Sequence, residues 1–138
     1  MLIASIKLIS RGLVVIKKLA KVKNAKLYID RNVLSFKIDV DFEEGLSMMV
    51  GGITLDRYNG DADIRVGTAY GCEIIRRMLI EFNVNDFSEM KGLLIYVIGE
   101  GEGLSFTQRG VQSLRVNNPN SEPVIFDEVF KFCEDLGI

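Results

Sequence analysis

Residues 33–42 read VLSFKIDVDF, and their strict alternation constrains the fold more than any other feature of the chain. Leu34, Phe36, Ile38, Val40 and Phe42 fall on one side, and Ser35, Lys37, Asp39 and Asp41 on the other. That is the period of a strand with one buried face and one wet face. A tight Arg31–Asn32 link separates it from a second alternating run, 24–31, which places Ala25, Leu27 and Ile29 on one face. The two runs predict a hairpin. Glu43, Glu44 and Gly45 then turn the chain into a third strand over 46–55, where Gly51–Gly52 predicts a bulge or a close backbone approach.

Beyond this meander the pattern changes period. Residues 56–67 are a polar loop, and Thr68 is placed to N-cap a helix whose buried stripe is Ile74, Ile75, Met78, Leu79 and Phe82. Glu73 and Arg77 face solvent at i, i+4, and Gly71 allows a close approach in the first turn. Asn83–Asp86 ends the helix and 87–91 predicts one short turn. The apolar run 93–98 reads as a strand buried on both faces, followed by the loop GEGEG and a short strand carrying Val111, Leu114 and Val116. A last helix reaches Leu136 with Phe126, Val129, Phe130 and Cys133 inward and Gly137 as its C-terminal stop. The expected class is α+β: an antiparallel sheet, made of the three-stranded meander plus one or two further strands, with two main helices packed on one face. Residues 2–22 are ambiguous. Leu2, Ile6, Ile9, Leu13, Ile16 and Ala20 have helical spacing, while Gly12 and the β-branched residues favour a strand from Val14. The reading leans to a helix, with residues 1–20 as an N-terminal extension of a single domain, 1–138.

The 138 residues contain no histidine, which excludes Ser-His, Cys-His and His-metal chemistry within the chain. Cys72 and Cys133 form no C-x-x-C pattern and are expected as small core residues. No catalytic residue, metal ligand set or cofactor is therefore expected, and the protein is read as not an enzyme. Seven of the 17 cations (Lys7, Arg11, Lys17, Lys18, Lys21, Lys23 and Lys26) precede the first acid, Asp30, and the remainder holds 10 cations against 19 acids. Such asymmetry marks either a nucleic-acid or membrane arm or complementary faces of one domain or oligomer. The apolar content of the basic stretch favours the second, so a homodimer using residues 2–20 is expected and nucleic acid is given a minor place. Lys7 and Arg11 interrupt any export signal, and no uncharged run approaches the ~20 residues of a membrane span.

Three segments could hold a ligand. In the GEGEG run Glu100 and Glu102 would repel a phosphate, which favours a turn with unusual backbone angles, with a divalent cation on the two carboxylates as a lesser option. Asp56, Asp61 and Asp63 lack the order of a calcium loop. The best candidate joins Arg57, Asp61, Asp63 and Arg65 to Gly67 and Thr68, where a helix N-terminus offers N–H groups to an anion. Its structural alternative is that Arg65 merely pairs with Asp56 or Asp63.

The segments GGITLD at 51–56, RVGTAYGCEIIRRML at 65–79 and FNVNDFSEMKG at 82–92 resemble a family of small proteins encoded by tailed phages and prophages. Asn83 stands where that family has glycine, and Phe87 where it has tryptophan. The resemblance spans about residues 22–133. It implies a phage accessory protein made in the cytoplasm of a bacterial host cell and supplies no activity. The function expected is that of an interaction protein whose partner is a host or defence protein. It would inhibit a bacterial defence or nucleic-acid enzyme by binding, as anti-CRISPR proteins do, presenting carboxylates to the enzyme's Lys and Arg. The alternative is a small-ligand or nucleotide-binding module built on the 56–68 segment.

Overall fold

The computed structural model describes residues 5–10, 13–101 and 103–138, with side chains described outside 8–14. In chain order the elements are β1 (Ser5–Ser10), β2 (Leu13–Asp30), β3 (Val33–Phe42), β4 (Ser47–Thr54), β5 (Asp56–Asn59), β6 (Ile64–Gly67) and α1 (Ala69–Glu81). A 3-10 turn (Phe87–Met90) then leads to β7 (Leu94–Glu100), β8 (Thr107–Ser113), β9 (Val124–Ile125) and α2 (Phe126–Asp135). The main sheet runs β4-β3-β2-β7-β8-β9, with β1 also on β2, and every pairing is antiparallel. The α+β class expected from the sequence is the class observed.

The spine is β2, 18 residues long. Its first part pairs with β7 on one side and β1 on the other, and its second part pairs with β3. The helix expected over 2–22 is therefore replaced by strand wherever residues are described. Ile16, Ala20 and Val22 lie in the core at strand periodicity, so residues 16–22 belong to the central sheet. Neighbouring strands on both sides satisfy its backbone, which outweighs the helical spacing of its apolar residues. Residues 2–4 lie outside the described residues.

Three bulges bend the sheet. Lys23 is the extra residue between the pairs Val22–Val40 and Asn24–Asp39, and Arg109 is the extra one between Ile98–Gly110 and Gly99–Gln108. The third lies between the pairs Ser35–Thr54 and Lys37–Gly51, where Gly52 and Ile53 together oppose Phe36, next to the glycine pair where the sequence predicted a bulge. Gly51 has φ of 101°, and a side chain there would strike the Phe36 ring. Bulges raise the local twist, and here the sheet curls until β8 reaches β4. The Gln108 carboxamide joins them: its Oε1 accepts from Gly51 N at 2.8 Å, and its Nε2 donates to Met49 O at 3.3 Å and Gly51 O at 3.4 Å. Through the ladders Gln108 is level with Ile16, near the start of β2, whereas Met49 and Gly51 are level with Asn24 and Lys26. Strands so strongly staggered are what closure of a small barrel requires.

The barrel strands are thus β2, β3, β4, β7 and β8. A helix lies between the third and fourth, the fourth returns to the free side of the first, and the fifth runs parallel to the third. This is the connectivity of the OB-type barrel, five-stranded and partly open. Inside, Phe36, Ile38, Val40, Val50, Ile95 and Val97 meet Ile74 and Met78 of α1 and Phe126 and Val129 of α2. Both helices end as the sequence indicated. Asn83 and Gly137 take positive φ, and Val84 N and Ile138 N bond back to the Leu79 and Cys133 carbonyls.

Several burial expectations need correction. Ala25, Leu27 and Ile29 share one face of β2 as expected, but only Ala25 is buried, while Leu27 and Ile29 are exposed toward the hairpin end. The 93–98 run is buried on both faces only at its end: Ile95 and Val97 face inward and Ile98 is buried on the outer side, while Leu94 and Tyr96 stay partly exposed there. Val116 lies past the end of β8 and is exposed, and Phe130 sits at the rim of α2, edge-on to Tyr70 at 5.5 Å. Cys133 is buried as expected, but Cys72 is exposed, since it follows the buried Gly71 on the outward side of α1.

Candidate functional site

The 56–67 segment is not a loop but a β-hairpin, β5–β6, standing as its own two-stranded sheet at the mouth of α1. The alternation expected of a polar strand was hidden by the turn residues Gly60, Asp61, Ala62 and Asp63 at its tip. Asn59 Oδ1 accepts from the Asp61 and Ala62 amides at 3.0 and 3.1 Å, and Asp63 closes the turn at φ 55°. The Tyr58 hydroxyl donates to Asp63, which holds its pKa above the ordinary tyrosine value.

The base of the hairpin is fixed by charge. Arg65 donates to Asp56 Oδ1 through Nη2 at 2.7 Å and Nε at 3.2 Å, and Asp56 Oδ2 accepts from the Leu34 amide at 3.1 Å. The Arg65 guanidinium, with the Leu34 amide beside it, keeps the Asp56 carboxyl below its usual pKa, and Asp56 in turn raises that of Arg65. One residue on, Thr68 Oγ1 donates to Leu55 O at 2.6 Å and accepts from Gly71 N at 2.9 Å, capping α1 as predicted. Gly71 packs so closely on Leu55 that a Cβ would run into the Leu55 carbonyl.

These bonds decide what the segment can do. Register pairs Arg57 with Val66 and Tyr58 with Arg65, so Arg57 and Arg65 project from opposite faces of the hairpin. Arg65 is committed to Asp56, and Thr68 occupies the Gly71 amide. The six residues singled out by sequence therefore do not converge on one anion pocket: Arg65, Gly67 and Thr68 lie at the base, Asp61 and Asp63 at the tip, and Arg57 on the far side. Nor do Asp56, Asp61 and Asp63 converge on a cation, each having a different environment. Among the described residues no cluster of three or more Cys, Asp or Glu is arranged to hold a metal. In the glycine-rich turn Gly101 and Gly103 take positive φ as expected, and Glu100 pairs with Arg109 at 3.6 Å. Glu102 lies outside the described residues. What the hairpin exposes is apolar as well as polar: Tyr58 is 55% and Ile64 54% exposed, one on each face, beside Arg57 and the acidic tip.

Two structural side chains went unread in the sequence. Gln108 closes the barrel. Glu81, only 5% exposed, accepts from Ser113 N at 2.8 Å, Ser121 Oγ at 2.6 Å and Glu122 N at 2.9 Å, pinning the 113–122 segment to α1. A signal for Glu81 existed: it continues the Ile74–Met78 stripe at i+3. None existed for Gln108. Comparison with protein-family models, with curated proteins and with solved structures finds no match. No helix of the described residues is long and apolar enough to cross a membrane.

Proposed function

We propose that the protein acts by binding another protein, with the tip of the β5–β6 hairpin as its contact. The observation that carries this is the division of labour within the hairpin. Asp56, Arg65 and Thr68 fix its base, while Tyr58, Ile64 and Arg57 remain exposed on a turn already locked by Asn59 and Asp63. A rigid finger presenting a tyrosine and an arginine loses little conformational entropy on docking, and these residue types dominate interface energies. The resemblance of the 51–92 motifs to phage-encoded proteins supports the setting. The partner would be a bacterial defence or host nucleic-acid enzyme, inhibited in the manner of an anti-CRISPR protein. The acidic tip suits a basic groove on such an enzyme.

The test is capture from a bacterial lysate by the native chain and by Tyr58→Ala/Ile64→Ala in parallel, with melting temperatures alongside. A protein held by the native chain and released by an equally stable double variant supports the reading. An unchanged set of captured proteins rejects it.

A further inference from the structure

The face of the barrel opposite the helices is open, and strand pairing gathers on it residues that lie far apart in the chain. On β2 the outward side chains include Lys17, Leu19, Lys21, Asn24, Lys26 and Tyr28, either side of the bulge at Lys23. Across β7 they meet Tyr96, directly opposite Leu19, and across β3 they meet Lys37, directly opposite Lys26. Lys17 reaches over β7 to donate to Gln112 Oε1 at 2.5 Å. The fold alone assigns no ligand to this face, but two features of the residues do.

First, like charges are set together. Lys26 and Lys37 are cross-strand partners, an arrangement that costs stability. Lys37 turns to Asp39 at 3.4 Å, and the Lys26 ammonium lies over the Tyr28 ring at 5.4 Å. Arg115, just beyond β8, is close enough to Lys17 that, after burial, it is the next cause of that lysine's lowered pKa. Second, the acids here are already engaged: Asp39 with Lys37, Asp41, directly opposite Lys21, with Lys23 at 3.2 Å and Ser47 Oγ at 2.5 Å, and Glu81, whose charge also reaches Lys17, with Ser113, Ser121 and Glu122. This leaves Lys17, Lys21, Lys26 and Arg115, among the described residues, as a line of cations with no carboxylate within ion-pair distance. Tyr96, opposite Leu19, and Tyr28, two residues from Lys26, lie beside that line, both half-buried.

We propose that this face binds a single nucleic-acid strand, with phosphates along Arg115, Lys17, Lys21 and Lys26 and bases stacked on Tyr96 and Tyr28. A cationic track beside aromatic platforms on an open sheet is the chemistry that holds single strands without reading sequence. A duplex keeps its bases stacked inside and could use only the lysines. An acidic peptide could use the lysines but would gain nothing from the tyrosines. The surface is separate from the hairpin tip, so loss of either site leaves the other intact.

Fluorescence anisotropy with labelled oligo(dT) and oligo(U), at low salt, tests this on the full chain, with the duplex and polyglutamate as competitors. Affinity should fall with salt at a log–log slope of about −3, the value for four phosphates on a single strand. Lys21→Ala/Lys26→Ala should reduce that slope by about 1.4, and Tyr96→Leu should weaken binding several-fold at constant slope. Both variants should keep the native melting temperature and the native hairpin contacts. Tighter binding of either the DNA or the RNA strand supports the proposal. It is overturned if no saturable binding occurs, if the lysine variant binds as the native chain does, or if duplex or polyglutamate competes as well as the single strand. A Tyr96→Leu variant of full affinity overturns the stacking role and with it the choice of a nucleic acid.

Discussion

At the β4 edge a carboxamide stands in for a missing strand; at the end of β8 a carboxylate does. Gln108 offers an acceptor to Gly51 N and donors to the Met49 and Gly51 carbonyls, as a peptide unit would. Glu81 offers only acceptors, and it meets only donors: two amides and the Ser121 hydroxyl. The amide sits on a partly open edge where water can replace it. The carboxylate is buried, where water has no ready path. The two caps look alike in a hydrogen-bond count and should differ sharply in what their loss costs.

The largest effect is expected at the buried cap. Glu81→Ala leaves three donors without their acceptor, at 1–3 kcal/mol each before relaxation, so a loss of at least about 3 kcal/mol is expected. For a chain of this size that lowers the melting temperature by roughly 10 °C, measurable by calorimetry. Glu81→Gln should fall between Ala and the native residue, because its amide group faces N–H donors. Equal stability of all three would mean that water already shares this site.

Removal of the open cap should cost less. Gln108→Ala is expected to destabilise by about 1 kcal/mol, with the Gly51 amide exchanging faster than its neighbours in hydrogen exchange. Gln108→Glu sharpens the contrast. It keeps an acceptor for Gly51 N but turns an anion on two carbonyl oxygens, so it should be no better than alanine. If Gln108→Ala costs as much as Glu81→Ala, the closure of the barrel depends on this one side chain.

These caps also mark where the sequence was legible. The β2–β3–β4 meander could be read because each hairpin partner is near in sequence and each strand alternates. Thr68, Gly71 and Asn83 could be read because capping and close approach are local demands. The long strand β2 could not, since its two halves lean on different partners and Lys23 shifts the inward parity from even to odd residues. The hairpin could be located but not shaped: Arg57 and Arg65 look convergent in sequence, and only strand register sends them to opposite faces. Gln108, and the Lys26–Lys37 and Leu19–Tyr96 juxtapositions, depend on pairing between distant segments.

Asp56 offers a third cap, intermediate in exposure and tied to a cation. Its folded-state pKa is depressed, first by the hydrogen bond from Arg65 and also by the Leu34 amide. A depressed carboxyl contributes stability above its unfolded pKa and loses it as pH falls through the folded value. The acid limb of the stability profile should therefore be shallower in Asp56→Asn than in the native chain, with the difference confined to the lower carboxylate range. Urea unfolding as a function of pH reads this directly. An identical acid limb in both proteins would show that Asp56 gains nothing from its partners.

The smallest effect separates the two arginines of the hairpin, one a cap and one not. Arg65 is fixed on Asp56 by two hydrogen bonds at a part-buried site, and its loss also strips the partner from a carboxylate that is only 9% exposed. Arg57 is exposed on the other face, opposite Val66. Surface substitutions without such partners stay within about 0.5 kcal/mol. Arg57→Ala should therefore melt with the native chain, while Arg65→Ala should melt measurably lower and lose the Asp56 part of the acid limb. Partner binding divides the other way. Arg57 belongs to the exposed contact surface, so its variant should bind a captured partner more weakly at full stability. Arg65→Ala should weaken binding only as far as it loosens the hairpin, and lower temperature should restore that loss. If cooling rescues both variants alike, Arg57 makes no contact and the finger binds through Tyr58 and Ile64 alone.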